Sequence, residues 1–216
     1  MKDIKNIIFD LGGVIVDLDV RASMTVFSRL GLTPPGVSLE QLSSGGIPKD
    51  WAMRKQMHAM DIGQMDATGF VATLLPQCRP GTTGQDIIDA YNQLIRLPRQ
   101  RLERIQQLSR RYRLFLLSNL GDIHWQETQR QAAAFGIPFV GCFEQLFLSF
   151  QLHMVKPDPA IFRHLTEATG IVPEETLYID DLPDNIEAGR QLGFKAYKIA
   201  CNGLDEVWEE LFCEKQ

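Results

Sequence analysis

The stretch Asn6-Ile7-Ile8-Phe9-Asp10-Leu11-Gly12-Gly13-Val14-Ile15 constrains this chain more than any other. An apolar, β-branched run of strand length ends on one carboxylate, and two glycines follow almost at once. A strand buried on both faces of a parallel sheet reads as a short continuous apolar run, and here a glycine turn bounds it. In an open α/β sheet, ligands bind beyond the carboxyl ends of the strands, where Asp10 falls. The glycines let the backbone approach a ligand closely. A carboxylate so placed serves as nucleophile, metal ligand or both. On these residues alone, an ordinary Asp capping a turn is an equal reading.

The rest of the chain narrows the choice. At 216 residues it can bury a substantial core, as one large domain or as a core with an insertion. A formal net charge of −5 argues against nucleic acid as a partner. No apolar run is long enough to span a bilayer, and no signal-peptide core precedes the first strand. Cys78, Cys142, Cys201 and Cys213 are scattered, without a CxxC pair or metal-finger spacing, and read as reduced thiols. These features point to a cytoplasmic protein and leave its oligomeric state open.

Beyond the first strand, residues 17–96 read as almost wholly helical. Candidate helices are Val20 to Leu30, Lys49 to Met60, Asp66 to Leu75 and Gly84 to Ile95. The breakers between them are Gly31, Pro34, Pro35 and Gly36, then Gly45, Gly46 and Pro48, then Gly63, and finally Pro76, Pro80 and Gly81. Asp66 and Thr82 or Thr83 are candidate N-caps. After Pro98 the pattern alternates. Helices at Pro98 to Arg111, Asp122 to Phe135, Asp158 to Thr169, Asn185 to Leu192 and Leu204 to Phe212 intervene between strands at Arg113 to Leu117, Leu146 to Ser149, Thr176 to Asp180 and Lys195 to Ile199. Alternation of this kind predicts an α/β fold, a doubly wound parallel sheet with helices on both faces. The helical stretch is then an insertion, with residues 1–16 and 97–216 forming the core.

Four polar sites fall at or just past predicted strand ends: Asp10, Ser118-Asn119, Lys156, and Asp180-Asp181. Parallel strands gather such ends on one edge of the sheet. Phosphoryl chemistry on a carboxylate nucleophile needs this set. It uses a cation against phosphate charge, hydroxyl and amide donors for the peripheral oxygens, and an ammonium. Asp10 and Asp181 supply hard oxygen ligands of the kind Mg²⁺ prefers. Taken singly, Lys156 reads as a solvated lysine before a proline, and Ser118-Asn119 as a helix N-cap. Asp184 and Asn185 read simply as the start of a helix. The adjacent carboxylates Asp180 and Asp181 have no such plain reading, because they repel unless a cation lies near. The four histidines show no pair at metal spacing and read as structural, and Trp51, Met53, Met57 and Met60 read as core.

In order, Phe-Asp10-Leu-Gly-Gly-Val, Leu-Ser118-Asn119, Lys156-Pro157-Asp158 and Ile-Asp180-Asp181-Leu-Pro-Asp-Asn185 resemble the four motifs of the haloacid dehalogenase-like (HAD) hydrolase superfamily. The resemblance covers nearly the whole chain. It implies a Rossmann-like core and makes residues 17–96 a helical C1 cap. It also implies a Mg²⁺-dependent phosphatase of a small phosphorylated metabolite, working through an aspartyl-phosphate on Asp10. Asp10, Asp181 and the Gly12 carbonyl would hold Mg²⁺. Ser118 and the Asn119 amide would hold phosphoryl oxygens, and Lys156 would steady nucleophile and phosphate. Asp180 would belong to the metal site too, orienting Lys156 or a metal-bound water.

One position departs from that pattern. Most phosphatases of the superfamily carry a second Asp two residues after the nucleophile, to protonate the leaving oxygen, and this chain has Gly12. A subgroup reading Asp-Leu-Gly-Asn-Val shares the departure and includes phosphatases of α-D-glucose 1-phosphate. General acid–base help is worth ~10²–10⁴ in rate, so its loss should hurt poor leaving groups most. Asp17, Asp19 and His124 are the candidate replacements. A non-catalytic regulator binding a phosphorylated ligand is the alternative that Gly12 supports. A metal-free 2-haloacid dehalogenase is disfavoured by Asp180-Asp181.

Overall fold

A computed structural model describes residues 3–33, 36–37, 41 and 51–212. Pro34, Pro35, Gly45, Gly46 and Pro48, the expected helix start at Lys49 and the thiol of Cys213 lie outside the described residues. The core is a five-stranded sheet built from β1 (Asn6–Phe9), β4 (Arg113–Ser118), β5 (Gln145–Leu148), β6 (Thr176–Asp180) and β7 (Lys195–Lys198). Its order is β5-β4-β1-β6-β7, and every pairing is parallel. The central β1 is flanked by β4 and β6, with Phe9 level with both Leu116 and Ile179. The chain winds outward on one side of β1 and then on the other, so β1 marks the point where the strand order reverses. Crevices form there.

Strand alternation sorts the sheet's side chains into two apolar layers. Ile7, Phe9, Leu114, Leu116, Leu177 and Ile179 lie on one face, with Leu102, Ile105, Trp125 and Trp208 from the covering helices. Ile8, Phe115, Leu117, Phe147 and Tyr178 lie on the other, with Ile161, Phe162, Leu165 and Ile186. The expected α/β architecture is therefore observed. Helix limits are chemically marked: Asp158 caps Pro159–Thr169 through the Ala160 amide, and Gly170 closes it in the left-handed conformation. The Thr83 cap forms a reciprocal capping box with Asp86.

Among the described residues, four α-helices of eight residues or more precede Pro98: α1 (Val20–Leu30), α2 (Ala52–Asp61), α3 (Ala67–Leu74) and α4 (Gly84–Asn92). They enclose their own apolar cluster, including Met24, Phe27, Met53, Met60, Phe70 and Tyr91. Ile123, from the helix after β4 (Asp122–Ala134), joins that cluster.

Three expectations need correction. The helix beginning at Gly84 stops at Asn92, short of Ile95, and residues 17–96 are not free of strands. Asp17–Leu18 (β2) pairs antiparallel with Ile95–Arg96 (β3). Strands of two residues leave no alternation to read, and only the pairing of distant segments forms them. Ser149, expected to end a strand, instead begins the short helix Ser149–Leu152. Among the described residues no helix is long and apolar enough to cross a membrane.

A buried arginine ties the turn after β1 to the core. The Arg101 guanidinium donates to the Val14 and Ile15 carbonyls at 2.9 and 3.2 Å. It also pairs with Asp17 and with Asp205, each at 2.8 Å. Removing one partner from a buried charged network costs about 3–5 kcal/mol, because the others stay buried and unpaired. Arg101→Met should therefore lower the unfolding free energy by about 3 kcal/mol or more in urea titrations. Arg96→Met removes an ion pair to the same Asp17, but from a side chain 74 % exposed, and should cost less than about 1 kcal/mol. Equal losses would show that Arg101 does not hold this turn.

Candidate active site

Asp10 follows the last residue of β1, and its backbone N–H donates to the Ile179 carbonyl of β6 at 3.0 Å. That ladder bond sets the Asp10 carboxyl beside the end of β6, where Asp180 and Asp181 lie. Gly13 adopts φ +74, and a Cβ there would sit 2.6 Å from Asp181 Oδ2. A side chain would collide with the carboxylate, so the second glycine of the motif is required by contact as well as by conformation. Gly12 has no such constraint: its Cβ would meet only the flexible end of Leu18, at 3.6 Å.

Lys156 reaches the same point from the loop beyond β5. Its ammonium is buried, 2.9 Å from Asp10 Oδ1 and 2.7 Å from Asp180 Oδ2. The solvated-lysine reading is thereby excluded. Asn119 does not cap a helix; Gly121 holds that position. The Asn119 side chain instead braces the lysine's backbone, donating to Lys156 O at 2.8 Å and accepting from Lys156 N at 2.9 Å. Ser118, the last residue of β4, is buried and lines the cavity described below.

Asp180 is saturated with donors besides Lys156. The Tyr178 hydroxyl donates at 2.6 Å, Leu182 N at 2.8 Å, and the Asn185 amide to both oxygens at 3.1 Å. Tyr178 and Asn185 were not singled out from the sequence as partners of Asp180. Positions 178 and 180 share a face of β6, so strand alternation was the available signal for Tyr178.

The electrostatics follow from three carboxylates around one ammonium. Asp10, Asp180 and Asp181 each place an oxygen within 4.8 Å of the others. Burial raises the Asp180 pKa, but attraction to Lys156 and the donated hydrogen bonds outweigh it, leaving the group below its ordinary range. Burial alone would lower Lys156, yet Asp10 and Asp180 hold it above its usual value. Asp10 remains pushed up to about 6, by burial first and by Asp180, with Lys156 opposing. Asp181 is raised by burial and then by Asp180. Lys156 therefore satisfies Asp180 and leaves Asp10 and Asp181 short of positive charge. Adjacent hard oxygens with a charge deficit fit a divalent cation such as Mg²⁺.

Asp10, Lys156 and Asp181 line a cavity of about 310 Å³ with residues of the helical stretch: Met57, Asp61, Tyr91, Leu94 and Ile95. Of the three candidate acids, the structure brings only His124 to it. Asp17 is held by Arg96 and Arg101, and Asp19 caps α1 through Ala22 N; neither lines the cavity. The His124 ring stacks on Tyr91 with centroids 3.9 Å apart, and Nε2 lies 3.1 Å from the Tyr91 carbonyl. A carbonyl can only accept, so Nε2 carries the proton and Nδ1 is bare. Burial pushes the ring down to about 4, which keeps it neutral at neutral pH. His124 is thus a structural histidine whose one ring proton is committed to the Tyr91 carbonyl.

The haloacid dehalogenase-like hydrolase family model matches residues 4–193. The chain belongs to this family. It is 31 % identical over 205 residues to D-ribitol-5-phosphate phosphatase of Bacteroides thetaiotaomicron, covering 94 % of each chain. Among solved structures it resembles HAD family enzyme bt-2542 of the same organism, with TM-score 0.83, 27 % identity and coverage of 98 % and 99 % of the two chains. That enzyme has been crystallised with magnesium and inorganic phosphate, both as wild type and as an aspartate-to-alanine variant. A HAD-like hydrolase of Porphyromonas gingivalis, 25 % identical, superposes with TM-score 0.75 over 98 % of this chain and all of that one.

His124 also makes a pH prediction. Its pKa is about 4 in the fold against an ordinary 6.5, so the unfolded chain takes up its proton first as pH falls. The stability associated with the neutral ring is complete above 6.5 and is lost as pH falls towards 4. Between pH 7 and 4.5, wild type should lose about 2–3 kcal/mol more than His124→Gln in urea titrations. Parallel losses would mean that the ring is not buried neutral.

Proposed function

We propose that this protein is a Mg²⁺-dependent phosphomonoester hydrolase acting on a small sugar or polyol phosphate through an aspartyl-phosphate on Asp10. The observation that carries the reading is Lys156, buried between Asp10 and Asp180 while Asp181 completes an under-neutralised cluster on a small cavity. The phosphatase relative and the magnesium and phosphate complexes of bt-2542 support it.

In this reading the Asp10 carboxylate attacks phosphorus from the end of β1. Lys156, pinned by Asp180 and by Asn119, neutralises charge on the nucleophile and the phosphoryl group without drifting. Ser118 Oγ and the Asn119 backbone N–H donate to phosphoryl oxygens. Asp10, Asp181 and the Gly12 carbonyl hold the cation, which when bound offsets phosphate charge as a Lewis acid. Asp180 has its oxygens occupied by Lys156, Tyr178, Leu182 N and Asn185, so it acts by orienting Lys156. Residues 17–96 act as the cap and choose the substrate, through Met57, Asp61, Tyr91, Leu94 and Ile95.

A screen of phosphorylated metabolites with and without Mg²⁺ should find sugar or polyol phosphates turned over only with the cation. On the best of them, Asp10→Asn should abolish turnover while leaving the thermal melt nearly unchanged, since the amide is close to isosteric but is not an effective nucleophile. Wild-type turnover in that variant would overturn the covalent mechanism. Asp181→Ala should raise the Mg²⁺ concentration for half-maximal activity at least tenfold, because it removes an anionic ligand from a hard-cation site. Full activity after exhaustive chelation would remove the metal from the mechanism.

A further inference from the structure

The reaction proposed above lacks a proton donor on the loop that carries the nucleophile, because position 12 is glycine. Four side chains besides the cluster bear on the question. Asp17 and Asp19 are engaged elsewhere, and His124 has its one ring proton committed to the Tyr91 carbonyl. Asp61 remains. It is the last residue of α2, it is half-buried, and it lines the same cavity as Asp10, Ser118, Lys156 and Asp181.

We propose that Asp61, carried on the helical insertion, is the general acid and base of this enzyme in place of the missing residue at position 12. This rests on the phosphatase reading of the site. In the first step Asp10 Oδ forms a bond to phosphorus as the bond from phosphorus to the leaving oxygen breaks. The Asp61 carboxyl gives its proton to that oxygen, releasing a neutral alcohol and leaving Asp61 as carboxylate. In the second step Asp61 takes a proton from the water that attacks phosphorus. The bond from phosphorus to Asp10 breaks, inorganic phosphate leaves, and both carboxyls return to their starting states.

The surroundings of Asp61 keep it protonated when an acid is needed. Burial pushes its carboxyl up to about 7. The end of a helix, where backbone carbonyls point outward, disfavours negative charge as well. His58 lies one turn earlier on α2, yet burial and no neighbouring charge accounts for the raised Asp61 carboxyl, and the Tyr91 phenol of α4 is held neutral by burial and by Asp61 and Asp122. Neutral His124 stacks on that phenol. Helix α3 carries no titratable side chain, and neither does the short helix at Ser149–Leu152 that packs against α2. His153, just beyond it, turns Nδ1 to the Ile62 carbonyl at 2.9 Å. Across the cavity, the Lys156 ammonium is committed to Asp10 and Asp180.

The test compares p-nitrophenyl phosphate, whose leaving group needs no proton, with the primary alkyl phosphate that wild type turns over best. Asp61→Asn should lower kcat/KM on the alkyl phosphate by ~10²–10⁴ and on p-nitrophenyl phosphate by much less. Wild type should show a basic limb near pH 7 on the alkyl phosphate, since the acid must be protonated, and that limb should be absent on p-nitrophenyl phosphate. This second measurement needs no variant. Gly12→Asp, whose Cβ the structure accommodates, should restore alkyl phosphate turnover in the Asp61→Asn background. Equal losses on both substrates with an unmoved basic limb would assign Asp61 to binding or packing and overturn the proposal, as would no loss. Wild type that turns over p-nitrophenyl phosphate but no alkyl phosphate also overturns it. Inactivity of wild type on both substrates with Mg²⁺ instead overturns the phosphatase reading on which it rests.

Discussion

A buried ammonium shared by two carboxylates is the constraint on which the rest of this structure depends. Lys156 sits between Asp10 and Asp180, at distances that allow direct hydrogen bonding to both. A charge removed from water is tolerated only where opposite charge and hydrogen bonds replace solvation. That requirement explains the two-way bond from Asn119 to the Lys156 backbone and the crowd of donors on Asp180. It also leaves a remainder. With Asp180 satisfied, Asp10 and Asp181 face one another across a deficit of positive charge. A site so biased gains more from a divalent cation than a neutral one would, and the gain is delivered beside Asp10, the nucleophile of the proposed mechanism.

Much of the core was legible because parallel sheets leave strong local traces. The apolar runs at β1, β4 and β6 were read at nearly their true limits, since both faces of each strand are buried and no polar residue interrupts them. Helix ends marked by Asp158, Thr83 and Gly170 were also readable, because capping chemistry is local. The β2–β3 ribbon was not. Two residues carry no periodic signal, and Asp17 meets Arg96 only after the intervening helices have folded back.

The site divides along the same line. Asp10, Ser118, Lys156 and Asp180-Asp181 were legible because each ends or follows a strand, and a parallel sheet converts that regularity into proximity. Residues contributed by packing were harder. Lys156 alone looked solvated, and only the fold shows it buried. Arg101 lay in a predicted helix with nothing to mark it out, yet it holds the turn after β1 from within. The expected replacements for the acid were drawn from residues near the motif in sequence or bearing an imidazole. The fold brings Asp61 from α2 instead. Its one sequence signal was weak: a carboxylate at the C-terminal end of an amphipathic helix, where negative charge is unfavourable.

Placing the proton donor on the insertion, as inferred here, changes what controls the chemistry. A donor two residues from the nucleophile is held by the same loop and is in place whenever that loop is folded. Asp61 reaches the cavity only as far as the helical stretch is seated on the sheet. Three features hold that seat: the β2–β3 ribbon, the burial of Ile123 among the helices of the insertion, and the His153 contact with the Ile62 carbonyl beside Asp61. Gly63 follows, at φ +68, and a Cβ there would collide with the Phe150 carbonyl, so no side chain fits. The backbone next to the donor is therefore locked to the core, not left to solvent. Water admitted without a seated insertion would find the nucleophile but no acid, so phosphoryl transfer and exclusion of bulk water become one event.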